Sequence, residues 1–128
     1  MTEATIRKRP KHLALWQIHF PVPAIMSIAH RISGAGLFLL LPFLIYLLGK
    51  SLGSPESFAE FKACIAHPLV KLVLLGLLWA YMHHFCAGIR YLFLDIDKGV
   101  DLACARKTAI AVFAVSLTLT AVIGVKLW

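Results

Sequence analysis

Residues 72–89 read LVLLGLLWAYMHHFCAGI, a stretch of 18 residues without Asp, Glu, Lys or Arg. Two other runs share this property, Ile32–Gly49 and Thr108–Val125. A helix needs about 20 mostly apolar residues to cross a hydrocarbon core of roughly 30 Å, so each run predicts a membrane span once its flanks are added. An alternating strand pattern is absent, and a helix satisfies its own backbone hydrogen bonds in lipid, which favours helices over a barrel.

The composition supports this interpretation. The 128 residues are 60% hydrophobic, and their mean hydropathy of +0.83 exceeds what a soluble fold of this size can bury. We therefore predict an all-α membrane protein that forms a single membrane-anchor domain over residues 1–128. Its three transmembrane helices are expected at about 23–49, 68–94 and 103–126, after an interfacial N-terminal segment at residues 1–22.

The basic residues predict how the chain is oriented. The net charge of +7 does not indicate nucleic-acid binding, because the basic residues cluster at the ends of the spans and not on one soluble face. One side of the membrane would hold nine of them: Arg7, Lys8, Arg9, Lys11, Arg31, Arg90, Lys98, Arg106 and Lys107. The other side would hold four: Lys50, Lys62, Lys71 and Lys126. The positive-inside rule then predicts a cytoplasmic N-terminus.

One histidine on the second predicted span is a candidate metal ligand. His84 shares a helix face with Gly88, Tyr91 and Asp95, at spacings of four, three and four residues. It lies about 24 Å along a helix that begins at Pro68, at 1.5 Å per residue, and so below the inner surface. An imidazole at this depth beside small residues suits an axial ligand of haem iron. A hydrogen-bonded interhelical histidine is the alternative.

A second polar group lies near the start of the first predicted span. Ser27, His30, Arg31 and Gly34 share one face and offer a hydroxyl, an imidazole and a guanidinium, which suit binding of a carbonyl oxygen or a carboxylate. Alternatively, His30 and Arg31 reach to lipid headgroups. His83 points about 100° away from its neighbour on an ideal helix and cannot face the same cofactor. The other histidines are less suitable, because His12, His19 and His67 fall outside the predicted spans and His30 is close to the surface. If the haem is six-coordinate, its other ligand would therefore come from another polypeptide.

Other polar and sulfur-containing residues predict packing. The third span carries Ser116, Thr118 and Thr120 and no ionisable group before Lys126, so it is predicted to be a packing helix. The chain has three cysteines, Cys64, Cys86 and Cys104. Their spacing includes no C-x-x-C or C-x-x-C-H motif, which argues against structural zinc and covalently attached haem.

Two motifs carry a family resemblance. SIAHRISG at Ser27–Gly34 follows Arg9-Pro10, and HFCAGIRYLFLD occupies His84–Asp95. The chain thereby resembles the cytochrome b subunit of bacterial succinate dehydrogenase, one of the two membrane anchors of respiratory complex II. Its family patterns are Arg-Pro, then Ser-x-x-His-Arg-x-Ser, and a His-x-x-x-Gly-Ile-Arg element that ends in Asp. The likeness covers nearly the whole chain and implies a bacterial inner-membrane location.

The resemblance also implies a site. His84 would be an axial ligand of haem b, with the other histidine supplied by the second anchor subunit. His30 and Arg31 would be candidates to meet the haem propionates, and Ser27 and Arg31 would help to form the ubiquinone site beside the iron–sulfur subunit. A histidine often follows the Gly-Ile-Arg element in this family, and this chain has Tyr91 there, so the resemblance assigns no role to Tyr91.

On this interpretation the chain does not oxidise succinate and has no catalytic residue of its own. A Gly-rich dinucleotide turn and a cluster-binding cysteine set are both absent from the sequence, so the flavin belongs to the flavoprotein subunit and the clusters to the iron–sulfur subunit. Two alternatives stay open. One is a haem-free membrane anchor of a fumarate reductase-like complex, and the other is a small transporter subunit, which the lack of internal repeats disfavours.

Overall fold

The computed structural model of this protein describes residues 15–127. It contains a short 3-10 turn at Leu15–Gln17 followed by four helices, which are α1 (Val22–Ser51), α2 (Pro55–Ala66), α3 (Pro68–Asp95) and α4 (Leu102–Leu127). Within residues 15–127 there is no strand. Helices α1, α3 and α4 are long and apolar enough to cross a membrane, which confirms the prediction of an all-α protein with three spans. Each extends slightly beyond the range expected from the sequence.

Most of the interfacial segment expected at residues 1–22, including Arg9 and Pro10, lies outside the described residues. The part that is described contains the 3-10 turn, in which Trp16 is almost fully exposed. This exposure agrees with a position at a membrane interface, where an amphipathic indole ring is favoured.

Local sequence explains where the helices begin. Pro23 and Pro68 lie in the first turns of α1 and α3, where the backbone N–H that proline lacks would have no helical partner. The His67 side chain accepts a hydrogen bond from Leu69 N at 3.2 Å and so caps α3. At α4 the carboxylate of Asp101 accepts from Cys104 N at 2.9 Å. These side chains satisfy backbone donors that a helix leaves unpaired at its start.

The three long helices pack against one another in pairs, with α3 in contact with both α1 and α4. Their common core is small and consists of Met26, Ala87, Ala109 and Val112. Alanines at this point let the helix backbones approach closely, which is how helices associate in lipid without a hydrophobic driving force. Most large apolar side chains of the spans instead face outward, as expected of a surface covered by lipid or by a partner subunit.

Helix α4 packs through its small polar residues. Ser116 and Thr120 are buried, while Thr118 is exposed. Both buried hydroxyls donate to carbonyl oxygens of their own helix, Ser116 to Phe113 O at 3.1 Å and Thr120 to Ser116 O at 2.8 Å. These bonds remove the cost of burying a hydroxyl. Helix α4 is therefore a packing helix, as its composition predicts.

Helix α2 connects the first two spans. Its N-cap is Ser54, whose hydroxyl accepts a hydrogen bond from Ser57 N at 3.3 Å. The ammonium of Lys50, at the end of α1, forms an ion pair with the Glu60 carboxylate of α2. Because α2 is short and contacts both α1 and α3, these two long helices lie antiparallel and side by side. His84 of α3 meets His30 of α1 at this pair of helices.

Candidate functional site

The imidazole of His84 lies between α3 and α1. Its Nδ1 atom is 3.0 Å from the backbone carbonyl oxygen of His30 and 3.3 Å from the hydroxyl of Ser33. The Ser33 hydroxyl in turn donates to the same His30 oxygen at 2.8 Å. Ser33 is buried and His84 is half-buried. The histidine is thus tied to α1 by a small network of hydrogen bonds.

This network assigns a tautomer to His84. A carbonyl oxygen only accepts hydrogen bonds, so Nδ1 must carry the proton that it donates to His30 O. The neutral ring then has its lone pair on Nε2, and within residues 15–127 the structure gives Nε2 no hydrogen-bond partner. Histidines that bind metals through one nitrogen typically donate their other N–H to a carbonyl, which fixes the ring and increases its basicity. His84 has this arrangement.

The rings of His84, His30 and Tyr91 form a chain of contacts between α3 and α1. The His30 ring stacks on it with centroids 4.1 Å apart and planes inclined by 17°. The Tyr91 ring lies 5.2 Å from the His30 ring at an angle of 45°. The structure therefore brings together His84 and Tyr91 of α3 with His30 of α1. Local periodicity placed these residues on faces of their own helices but did not show that the two faces meet.

Gly34 permits the close contact between the two helices at this point. A Cβ atom built on Gly34 would lie 2.8 Å from Cε1 and 3.2 Å from Nδ1 of His84. Such a distance is shorter than carbon atoms tolerate, so any larger residue would displace the ring or the helix. The position of His84 in the groove depends on this glycine.

Small residues also leave space beside the histidine on α3. A Cβ atom built on Gly88 or on Gly76 would meet nothing within 4 Å. Between α1 and α3 a groove of about 520 Å³ is lined by Gly36, Gly76, Ala80 and Ser33, among others. One of the lining residues is Ser33, whose hydroxyl is 3.3 Å from His84 Nδ1. A flat, bulky group has room there.

Ser27 and Arg31 occupy the first turns of α1, close to its N-terminal end. Arg31 is exposed and Ser27 is half-buried. Among the hydrogen bonds between described residues, neither side chain takes part, which leaves both available to a ligand or to a partner subunit. The structure does not bring them into contact with His84, although they lie within one turn of His30. The proposed roles of His84, His30, Arg31 and Ser27 stay predictions.

His83 has a different environment from His84. It is completely buried, with its ring 5.3 Å from Trp79 and 4.9 Å from Phe113 of α4. Both of its ring nitrogens lack a hydrogen-bond partner among the described residues. Adjacent histidines on one helix therefore have different neighbours, as the 100° step along a helix requires. His83 is buried close to Phe113 of α4 and to the Met26 backbone of α1, and it does not line the groove.

Sequence reasoning missed two residues. Ser33 was not singled out, although its position three residues after His30 puts its hydroxyl within reach of the His30 carbonyl. Arg90 was counted only as a charge at the membrane surface and as part of the Gly-Ile-Arg element. In the structure it is 9% exposed and hydrogen-bonded to α4. Its helical position, about 120° from the His84 face, could have indicated that Arg90 faces a different helix from His84.

Comparison with known proteins gives one consistent family. Residues 5–123 match the family described as succinate dehydrogenase/fumarate reductase transmembrane subunit. The chain is 40% identical over 122 residues to the succinate dehydrogenase cytochrome b556 subunit of Coxiella burnetii, which covers 94% of this chain and 98% of that protein. The subunit of the same name from Paracoccus denitrificans is 31% identical over 119 residues, covering 93% and 92%. That from Rickettsia felis is 30% identical over 120 residues, covering 92% of each.

Proposed function

Because this chain belongs to the family of succinate dehydrogenase and fumarate reductase transmembrane subunits, we propose that it binds a b-type haem together with a second anchor subunit and contributes to a ubiquinone-reduction site. The chain is a multi-pass membrane anchor of complex II. The haem, the quinone site and the identity of each partner are the parts that we propose. The proposed partners are the second anchor, the iron–sulfur subunit and the flavoprotein subunit.

One observation carries the haem proposal, namely the hydrogen bond of 3.0 Å between His84 Nδ1 and the His30 carbonyl oxygen. This bond leaves the Nε2 lone pair for iron and holds the ring in one orientation. The open space at Gly88 and the groove lined by Ala80 and Ser33 support the proposal, because they leave room for a bulky group between α1 and α3. The relatives are named as cytochrome b556 subunits, which also supports a haem. His84 would hold the iron, and His30 and Arg31 would meet the propionates.

His83 cannot supply the second ligand, since it is buried against Trp79 and Phe113. We assign the other axial histidine to the second anchor subunit, as the family resemblance implies. A bound haem supplies a one-electron redox centre, whose potential depends on its axial ligands and on their hydrogen bonds. This chain would contribute the His84 imidazole, whose Nδ1 proton is donated to a backbone carbonyl. Because a backbone carbonyl does not titrate, this hydrogen bond does not depend on the charge of its acceptor.

The quinone part of the proposal rests on Ser27 and Arg31. Both lie near the N-terminal end of α1, and their polar groups are free of partners within the described residues. The Ser27 hydroxyl can donate to a quinone carbonyl oxygen. The Arg31 guanidinium places positive charge where negative charge develops on that oxygen during reduction, which lowers the barrier. We place this end of α1 at the cytoplasmic face of a bacterial inner membrane, where electrons arrive from the iron–sulfur subunit.

The proposal is tested by purifying the native complex in mild detergent and recording a reduced-minus-oxidised visible spectrum. We expect the flavoprotein, the iron–sulfur protein and a second small membrane subunit to co-purify, with b-type haem near one per complex. Purification of the intact complex with no haem in it would identify the chain as a haem-free anchor. Isolation of the chain without dehydrogenase subunits, together with solute flux in vesicles, would indicate a transporter subunit.

We expect Ser27→Ala and Arg31→Leu to slow quinone reduction on the order of tenfold to a hundredfold, because a hydrogen bond to a charged group contributes about 1.5–3 kcal/mol. Succinate oxidation by a soluble dye should continue at the wild-type rate, since it does not use this site. Ser51→Ala, at the other end of α1, and Arg106→Leu, exposed on α4, are the matched controls. Equal loss of both activities would instead indicate failed assembly.

A further inference from the structure

Arg90 carries a positive charge that is nine-tenths buried without a carboxylate beside it. Only 9% of the residue is exposed. Its Nε donates to the Thr108 hydroxyl at 3.0 Å and its Nη2 to the Ala105 carbonyl oxygen at 3.3 Å, and both acceptors belong to α4. Among residues 15–127 the only ion pair joins Lys50 to Glu60, at the other end of the spans, and does not involve Arg90. The charge of Arg90 is therefore not neutralised by a described residue.

The guanidinium has spare donors as well as spare charge. It carries five N–H groups, and the two hydrogen bonds to Thr108 and Ala105 use only some of them. Burial of a charge is costly unless the charge is paired and fully hydrogen-bonded. An anion that reached the remaining N–H groups would remove this cost.

A cavity of about 350 Å³ lies directly beside Arg90. It opens between α3 and α4 at the end of the spans where the loop 96–101 connects them. Two cationic residues line it, Arg90 from α3 and Lys98 from the loop. The rest of its wall is mostly apolar and includes Ile89, Phe93 and Leu94. The cavity thus combines two cationic residues with a mostly apolar wall that includes residues of α3.

The loop holds Lys98 in place at the rim of this cavity. Asp97 and Gly99 on either side of it have positive φ angles of 57° and 75°, a left-handed conformation that reverses the chain within a few residues. Lys98 N donates to Phe93 O at 3.0 Å and so closes the end of α3. The backbone of Lys98 is therefore anchored beside the cavity that this residue lines.

We propose that this cavity binds the phosphate group of an anionic phospholipid, with Arg90 and Lys98 as its cationic partners. Ile89 and Phe93 are 41% and 56% exposed on the outer surface of α3, and acyl chains would lie against them. This apolar surface favours a phospholipid over free phosphate. Both carry an anionic phosphate group, but only the phospholipid has acyl chains that can pack against the apolar residues. Basic pockets between helix ends at a membrane surface are typical sites for anionic headgroups.

The cysteines of the chain provide a direct readout of occupancy. Cys86 and Cys104 line the cavity. Cys64 lies on α2, at the end of the helix bundle that is far from the cavity. The whole complex would be placed in phosphatidylcholine nanodiscs with increasing phosphatidylglycerol and treated with N-ethylmaleimide. Mass spectrometry would then give the modification rate of each thiol.

We expect phosphatidylglycerol to slow modification of Cys86 and Cys104 several-fold relative to Cys64, and inorganic phosphate at millimolar concentration to give no protection. Lys98→Ala should raise the phosphatidylglycerol content needed for half-protection roughly fivefold. Lys107→Ala, which removes an equal charge from the exposed surface of α4, should leave it unchanged. Lys98 is the better test than Arg90, because Arg90 also holds α3 to α4.

Three results would overturn this proposal. The first is protection of both cysteines that does not depend on phosphatidylglycerol, which would mean that a protein partner or a neutral lipid covers the cavity. The second is protection by inorganic phosphate alone, which would indicate a site for a soluble anion. The third is an equal effect of Lys98→Ala and Lys107→Ala, which would indicate attraction of lipid to the whole surface. The haem spectrum should be the same in all samples, so this test is independent of the proposed haem site.

Discussion

We expect a complex that carries His84→Leu to lose its b-type absorbance or to show a greatly altered spectrum. Leucine has a volume close to that of histidine but no lone pair, so it removes the proposed axial ligand without leaving a large cavity. It also removes the Nδ1 hydrogen bond to the His30 carbonyl oxygen. The measurement is a reduced-minus-oxidised spectrum of the purified complex, with haem quantified against covalent or extracted flavin in the same sample.

His83→Leu is the matched control for this experiment. The two histidines are adjacent in the same helix, and His83 is buried against Trp79 and Phe113 with both nitrogens unpaired in the described part of the chain. Replacing an unpaired buried polar ring with an apolar side chain is expected to be close to neutral for stability. The His83→Leu complex should therefore keep its haem. A native spectrum in the His84→Leu complex would rule out His84 as a ligand.

The second large effect is expected from Gly34→Ala. The added Cβ atom would lie 2.8 Å from His84 Cε1, so the imidazole or the whole of α1 must move, and overpacking of this kind costs about 1–3 kcal/mol. Because the same shift changes the direction of His84, we expect a shifted haem absorbance, a lower haem content, and a lower melting temperature of the complex. Visible spectroscopy and thermal unfolding measure these effects.

Gly36→Ala provides a control on the same helix. A Cβ atom at Gly36 meets nothing within 4 Å, and alanine favours a helix over glycine by about 1 kcal/mol. This variant should be neutral or slightly more stable and should have the native spectrum. If Gly34→Ala also left the spectrum and the haem content unchanged, the packing of His84 against α1 would have no bearing on the haem, and the geometry proposed for the site would be wrong.

The haem and lipid proposals concern different faces of α3. His84 faces α1, where a backbone carbonyl and a serine hydroxyl hold its Nδ1 atom. Arg90 faces α4, where Thr108 and Ala105 accept its hydrogen bonds. Because different residues carry the two proposals, either can fail without the other. If both proposals hold, helix α3 is both the ligand-bearing helix and part of the lipid-binding surface.

The sequence by itself determined the spans and most of the polar positions within them. Long runs without a charge predict membrane helices from local composition alone, because each helix satisfies its own backbone and needs only sufficient apolar length. Periodicity then placed His84 on one face of its helix and His83 on another. The family motifs added roles for Ser27, His30 and Arg31 that neither composition nor spacing contains.

Only the tertiary structure decided which of these faces meet. The bond from His84 to the His30 carbonyl, the approach permitted by Gly34 and the burial of Arg90 against α4 all depend on the rotation and depth of one helix relative to the next. A helix in lipid is stable at many rotations about its axis, so its own sequence does not select one. Packing of small residues and satisfaction of buried polar groups select the arrangement, and both depend on two or more helices at once.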